Sequence, residues 1–127
     1  MDTNNIGRLG EEIAANFLRS HNYEIICLNF QNTSGRRLGE IDIIAKDLPS
    51  EELVFVEVKT RDYQKYGHTL PEENITREKL RKLQKIAQAY LRQNNLLDCD
   101  YRFDAISVWA DTKTRLAKVK HLENIFL

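Results

Sequence analysis

The sequence has little of what staples or punctuates a chain. Two cysteines, Cys27 and Cys99, stand among 127 residues. They are too few for a disulfide framework or a cysteine-built zinc site. Both are expected to be reduced and buried. His21, His68 and His121 are scattered and show no ligand spacing. Prolines number two and glycines five, and no repeat, low-complexity tract or linker is visible. No apolar run approaches the roughly 20 residues of a membrane span, so no membrane partner is expected. The opening residues MDTNNIGR lack the apolar core of a signal peptide. The expected location is therefore cytoplasmic. Excess charge is missing too: 19 Lys and Arg balance 19 Asp and Glu, so general attraction to a polyanion is absent.

The hydrophobic fraction is 42%. At this length it suits a single domain, residues 1–127, with a real core. The charges are unevenly spread. Residues 1–60 hold six Lys/Arg and ten Asp/Glu, a net of −4, and residues 61–127 hold thirteen and nine, a net of +4. A solvated, uneven surface would show the same counts. So would a protein with a cation site in one half and phosphate contacts in the other.

The most informative stretch is Gly39–Arg61. Two β-branched, strand-like runs there carry charges that an ordinary core excludes. Asp42 lies among Ile41, Ile43, Ile44 and Ala45. Glu57 lies among Val54, Phe55, Val56 and Val58, and leads into Lys59. Strand alternation puts Glu57 and Lys59 on one face and Val58 on the other. It puts Asp42 with Glu40 and Ile44. Antiparallel pairing of the two strands would bring Asp42 near Glu57. Charges taken out of water cost several kcal/mol unless they are paired or bound to metal. Two close carboxylates also repel. A hard divalent cation such as magnesium relieves both costs, and Lys59 could then orient a water or stabilise charge on a phosphate. A structural ion pair of Lys59 with Glu57 or Asp42 is the competing reading.

Asp42 followed by Glu57-Val58-Lys59 resembles the PD-(D/E)xK nuclease superfamily. The wider pattern comprises GRLGEEIAANFL at 7–18, GEIDIIA at 39–45, FVEVKTR at 55–61, a Lys-rich helix from Thr76, and RFDAI at 102–106. It is similar to the bacterial YraN family, grouped with endonucleases and distantly similar to archaeal Holliday junction resolvases. Ile41 stands where the superfamily name would put proline, as in resolvase-like members. The resemblance implies a restriction-endonuclease-like α/β core and hydrolysis of DNA phosphodiester bonds, on branched DNA in recombination or repair. The products would carry 5′-phosphate and 3′-hydroxyl ends. It implies magnesium, with manganese as substitute, held by Asp42, Glu57, the Val58 carbonyl and Glu11. Lys59 would act with Asp42 and Glu57 in catalysis. DNA is the implied partner, and a homodimer suits a resolvase that cuts two strands. A non-catalytic binding or interaction module that keeps the fold is the alternative.

Around this stretch the pattern predicts αβββαβ and a final strand, a mixed sheet flanked by helices. Residues 4–20 read as an amphipathic helix with Ile6, Leu9, Ile13 and Phe17 at helical spacing and Asn4 or Asn5 as cap. At about 100° per residue, Glu11 lies at the edge of that stripe and Glu12 points away. Favourable placement near a helix N-terminus is the other reading of Glu11. Tyr23–Phe30 reads as a strand. The loop from Gln31 to Leu38 carries Arg36 and Arg37, which could grip phosphate or be merely solvated. The connection from Asp62 to Asn74, with Tyr63, Tyr66, Gly67, His68 and Pro71, should border the site. A helix from about Ile75 to Asn94 has the apolar stripe Leu80, Leu83, Ala87, Tyr90 and Leu91. Its first half is basic through Arg77, Lys79, Arg81, Lys82 and Lys85. Arg61, Lys79 and Lys82 join Arg36 and Arg37 as expected nucleic-acid contacts. Tyr101–Trp109 and Leu116–Leu122 read as strands, and Asp104 is expected to pair with Arg102 or with a nearby helix rather than ligate metal.

Overall fold

A computed structural model describes residues 3–33, 35–62, 76–111 and 113–125. Its elements run α1 (Thr3–Ser20), β1 (Tyr23–Phe30), β2 (Ile41–Asp47), β3 (Glu52–Asp62), α2 (Arg77–Gln93), β4 (Tyr101–Asp111) and β5 (Leu116–Leu122). The strands form one sheet in the order β1-β2-β3-β4-β5. All neighbours are antiparallel except β3 and β4, which are parallel. A parallel pair needs a crossover, and the segment containing α2 supplies it. The result is the expected mixed sheet flanked by helices, compatible with a restriction-endonuclease-like core.

The central strands are apolar on both faces because each face is covered. On one side Ile43, Ala45, Val54, Val56, Val58, Ile106 and Val108 pack with Ala14, Ala15 and Leu18 of α1. On the other, Ile41, Ile44, Phe55 and Phe103 pack with Leu83, Ile86, Ala87, Tyr90 and Leu91 of α2. Thr76 caps α2 by accepting from the Lys79 N–H at 3.2 Å.

Three expectations need correction. Ile6, Leu9, Ile13 and Phe17 are half-buried, with Ile13 and Phe17 packed against the edge of the core rather than at its centre. The line that meets the sheet is Gly10, Ala14 and Leu18, because small residues let the helix axis approach closely. A Cβ on Gly10 would run into the Thr60 side chain of β3. Ile44 does not share a face with Asp42. It packs toward α2, as Ile41 does, and a spacing of three breaks the alternation of two between them. Cys99 is exposed and Cys27 half-buried, both free; Cys99 lies in the turn after α2, outside the core. The Asn4 and Asn5 side chains lie outside the described residues. So do residues 63–75, with Tyr63, Tyr66, Gly67, His68 and Pro71 of the expected site-bordering connection and the expected helix start at Ile75.

The start of β4 is pinned by a polar network. Asp104, fully buried, accepts from Arg102 Nε at 3.0 Å and the Asn124 N–H at 2.9 Å, and lies 2.7 Å from His121 Nε2. Arg102 also reaches Asp47 at 3.0 Å, Glu52 at 2.9 Å and the Tyr23 hydroxyl at 2.7 Å. Burial presses the Asp104 carboxyl upward, but the hydrogen bonds from His121, Arg102 and Asn124 outweigh it and hold it below the usual range. Asp104 is therefore a structural partner of Arg102, as expected.

Candidate functional site

The acidic site forms where β2 and β3 part. Their pairing runs from Asp47↔Glu52 to Ile43↔Val56. Just beyond the last pair, the Val58 N–H donates to Asp42 Oδ2 at 2.8 Å. The carboxylate thus takes a backbone donor where the strand pairing ends. Glu11, from α1, and Glu40, just before β2, each bring a carboxylate oxygen to Asp42, all within 4.8 Å of one another. Such a group of oxygens suits a hard divalent cation.

Each member is placed by its neighbours. Glu11 follows Gly10, whose close approach to Thr60 sets α1 down on β3. No acidic residue lies in the first turn of α1, so the helix dipole does not account for Glu11. Glu11 is half-buried and Glu12 exposed, as the helical spacing predicts. Gly39 has φ +125, a conformation that needs glycine, and it turns the chain into Glu40. Asn29 sits in the left-handed region with φ 54, which asparagine tolerates. With its amide nitrogen turned inward it donates to Glu11 Oε2 at 3.1 Å and Glu40 Oε1 at 2.6 Å. Gln31 Nε2 donates to Glu40 Oε2 at 3.1 Å.

The electrostatics express the crowding. Burial first, then the charges of Glu57, Glu11 and Glu40, push the Asp42 carboxyl up to about 8, against the opposing Val58 hydrogen bond. Burial and the charge of Glu40 also raise Glu11. Glu57 thus acts on Asp42 through its charge, while its own oxygen lies 3.2 Å from Lys59 Nζ. Burial presses the Lys59 ammonium down, but the Glu57 carboxylate beside it overcomes this and holds it above its usual range. Contact with Lys59 in turn lowers Lys79, and the charge of Arg61 adds to the effect. Lys59, Lys79 and Arg61 therefore form a cationic group beside the carboxylates.

The remaining expected contacts lie apart from that group. Arg36, Arg37 and Lys82 line a shared depression between the 31–40 loop and α2, and Lys82 is 3.9 Å from Glu78. Sequence reasoning missed Glu40 and Asn29 as members of the site. Alternation already put Glu40 beside Asp42. Asn29 left no signal, because its inward aim depends on a left-handed residue within β1.

Residues 10–108 match the profile of the uncharacterised protein family UPF0102. Similar curated relatives include UPF0102 proteins of Caldicellulosiruptor saccharolyticus, 38% identical over 99% of this chain and 100% of the relative, and of Caldanaerobacter subterraneus, 41% identical over 95% and 93%. The chain belongs to the UPF0102 family. The UPF0102 match begins at Gly10 and spans Glu11, Asn29, Glu40, Asp42, Glu57, Lys59 and Lys79. Among the described residues, no helix of this UPF0102 protein is long and apolar enough to cross a membrane.

Proposed function

We propose that this UPF0102 protein is a magnesium-dependent endodeoxyribonuclease of the PD-(D/E)xK type, as the resemblance to the YraN family implies. The observation that carries the reading is the carboxylate trio Glu11, Glu40 and Asp42, set beside the Lys59 ammonium. The fit to a divalent cation is chemical. All three donors are hard oxygens, and Asp42 is raised by burial and like charge, a strain that a cation relieves. Glu11, Glu40 and Asp42 would hold it, with Glu57 and the Val58 carbonyl as further oxygen donors at the same strand end. When bound, magnesium supplies Lewis acidity toward a phosphoryl oxygen and acidifies a water.

The protein's own groups have separable tasks. Lys59, held charged, stabilises negative charge growing on the phosphate and orients the attacking water. Lys79 and Arg61 add positive charge on the same side and orient the strand to be cut. Asn29 fixes Glu11 and Glu40 so that their oxygens converge. The 3.2 Å ion pair of Lys59 with Glu57 favours one competing reading, a binding module in which this pair is structural. Incubation of wild type and Asp42→Asn with linear, flapped and four-way DNA in magnesium or manganese separates the two. The nuclease reading expects cation-dependent products from wild type alone. Absence of cleavage on all substrates, or equal cleavage by both proteins, would contradict it.

A further inference from the structure

A second cationic surface lies along α2, and nothing in the metal-centred chemistry uses it. Lys82, Lys85, Ala89 and Arg92 recur at spacings of three, four and three, so they lie along one face of α2. At 1.5 Å per residue that stripe is about 15 Å long. The 31–40 loop forms the opposite wall. Two adjoining depressions result, of about 550 Å³ and 320 Å³, both lined by Arg36, Leu38 and Lys85. The larger adds Arg37, Gly39 and Lys82; the smaller adds Asn32, Ala89 and Arg92.

The wall is fixed. Asn32 ties the loop by donating to the Arg36 carbonyl at 2.8 Å and accepting from the Leu38 N–H at 2.9 Å. Gln93 of α2 donates to the Thr33 hydroxyl at 2.8 Å. Among the described residues, no carboxylate pairs with Arg36, Arg37, Lys85 or Arg92. Four cations thus stand on one frame with no ion-pair partner among the described residues, in a chain of zero net charge. At Gly39 the trough adjoins Glu40 of the acidic trio.

We infer that this trough is a backbone-binding subsite for duplex DNA, gripping the phosphates of one strand beside the metal-centred site through Arg36, Lys85 and Arg92. The inference rests on the proposed function for its choice of DNA. Duplex is favoured over single strand by the lining. Sites for single strands stack bases on aromatic rings, and among the described residues neither depression is lined by one. Arginine and lysine contacts to phosphate fix position without reading sequence.

The test is equilibrium binding of a labelled duplex in EDTA, across a salt series, so that no cleavage is involved. Lys85→Ala/Arg92→Ala is compared with wild type and with Lys113→Ala, a charge loss on the β4–β5 turn. The slope of log affinity against log salt should fall in magnitude by about 1.8 for the double variant, at about 0.9 per phosphate contact. It should hold for Lys113→Ala, and thermal stability should be unchanged in both. Duplexes of unrelated sequence should bind alike, and polyglutamate should compete poorly. A wild-type slope in the double variant, an equal loss in Lys113→Ala, a larger loss on single strands, or polyglutamate competing as well as DNA would each overturn the subsite. Failure here leaves cation-dependent cleavage standing, and failure of cleavage leaves this binding result standing, so the two readings fall separately.

Discussion

Asp42 is half-buried beside three carboxylates, and its protonation state couples folding to cation binding. Its carboxyl rises from the ordinary 3.8 to about 8 in the folded, cation-free protein. Between those values the native state holds a proton that the unfolded chain has lost, so stability must fall as pH rises across that window. One whole proton gives a slope of about 1.4 kcal/mol per pH unit at most. The raised Glu11 acts in the same direction. Thermal unfolding in EDTA from pH 5 to pH 8 should therefore show declining stability, with a flatter profile for Asp42→Asn. A cation bound only by the folded state, at about a hundredfold excess over its Kd, adds about 2.7 kcal/mol. Magnesium or manganese at pH 8 should raise the wild-type Tm and leave Asp42→Asn nearly unmoved. An equal rise in both would put the ion elsewhere.

At the scale of elements, α1 carries Glu11 to the sheet, and Gly10 sets how close it comes. A methyl group there meets Thr60 Cγ2 at 2.6 Å and Cβ at 2.7 Å, so the helix must lift. Overpacking of this kind costs about 1–3 kcal/mol. Gly10→Ala should lower Tm by several degrees in EDTA and also weaken the cation-induced shift, because Glu11 moves with the helix. A normal cation response in a destabilised Gly10→Ala would separate Glu11 from the site. Much of this layout was legible in the sequence. The β-branched runs around Asp42 and Glu57 announced the central strands, and alternation put Lys59 with Glu57. Helical spacing turned Glu11 inward and Glu12 outward. The buried line of α1 was not legible, since Gly10 and Ala14 look less like core than Ile13 and Phe17. Their small size matters only once the sheet lies beneath them. Glu40 was within reach of alternation, which set it beside Asp42, whereas Asn29 depended on a left-handed backbone within β1 that period-based reading does not resolve. Asp104 was legible through Arg102, two residues away on the same strand face, whereas His121 and Asn124 joined it only through the fold.

Across the whole molecule, a net charge of zero conceals three local charge groups. The carboxylate trio lies at the parting of β2 and β3, Lys59 with Lys79 and Arg61 stands beside it, and the trough runs along α2. Sequence halves of −4 and +4 hinted at this separation, but only the fold sorts the cations into two groups. The central claim is that the ensemble hydrolyses DNA, with Lys59 acting mainly in the transition state. Such a group affects turnover more than ground-state affinity. Lys59→Met keeps much of the apolar stem and removes the charge, which limits packing damage. The decisive measurement is single-turnover cleavage in magnesium by wild type and Lys59→Met, beside equilibrium DNA binding by both. Lys59→Met should stay folded, bind DNA within a few-fold of wild type, and cleave about 10²-fold more slowly or worse. Cleavage by Lys59→Met at the wild-type rate would contradict the assignment and return Glu57 and Lys59 to a structural ion pair.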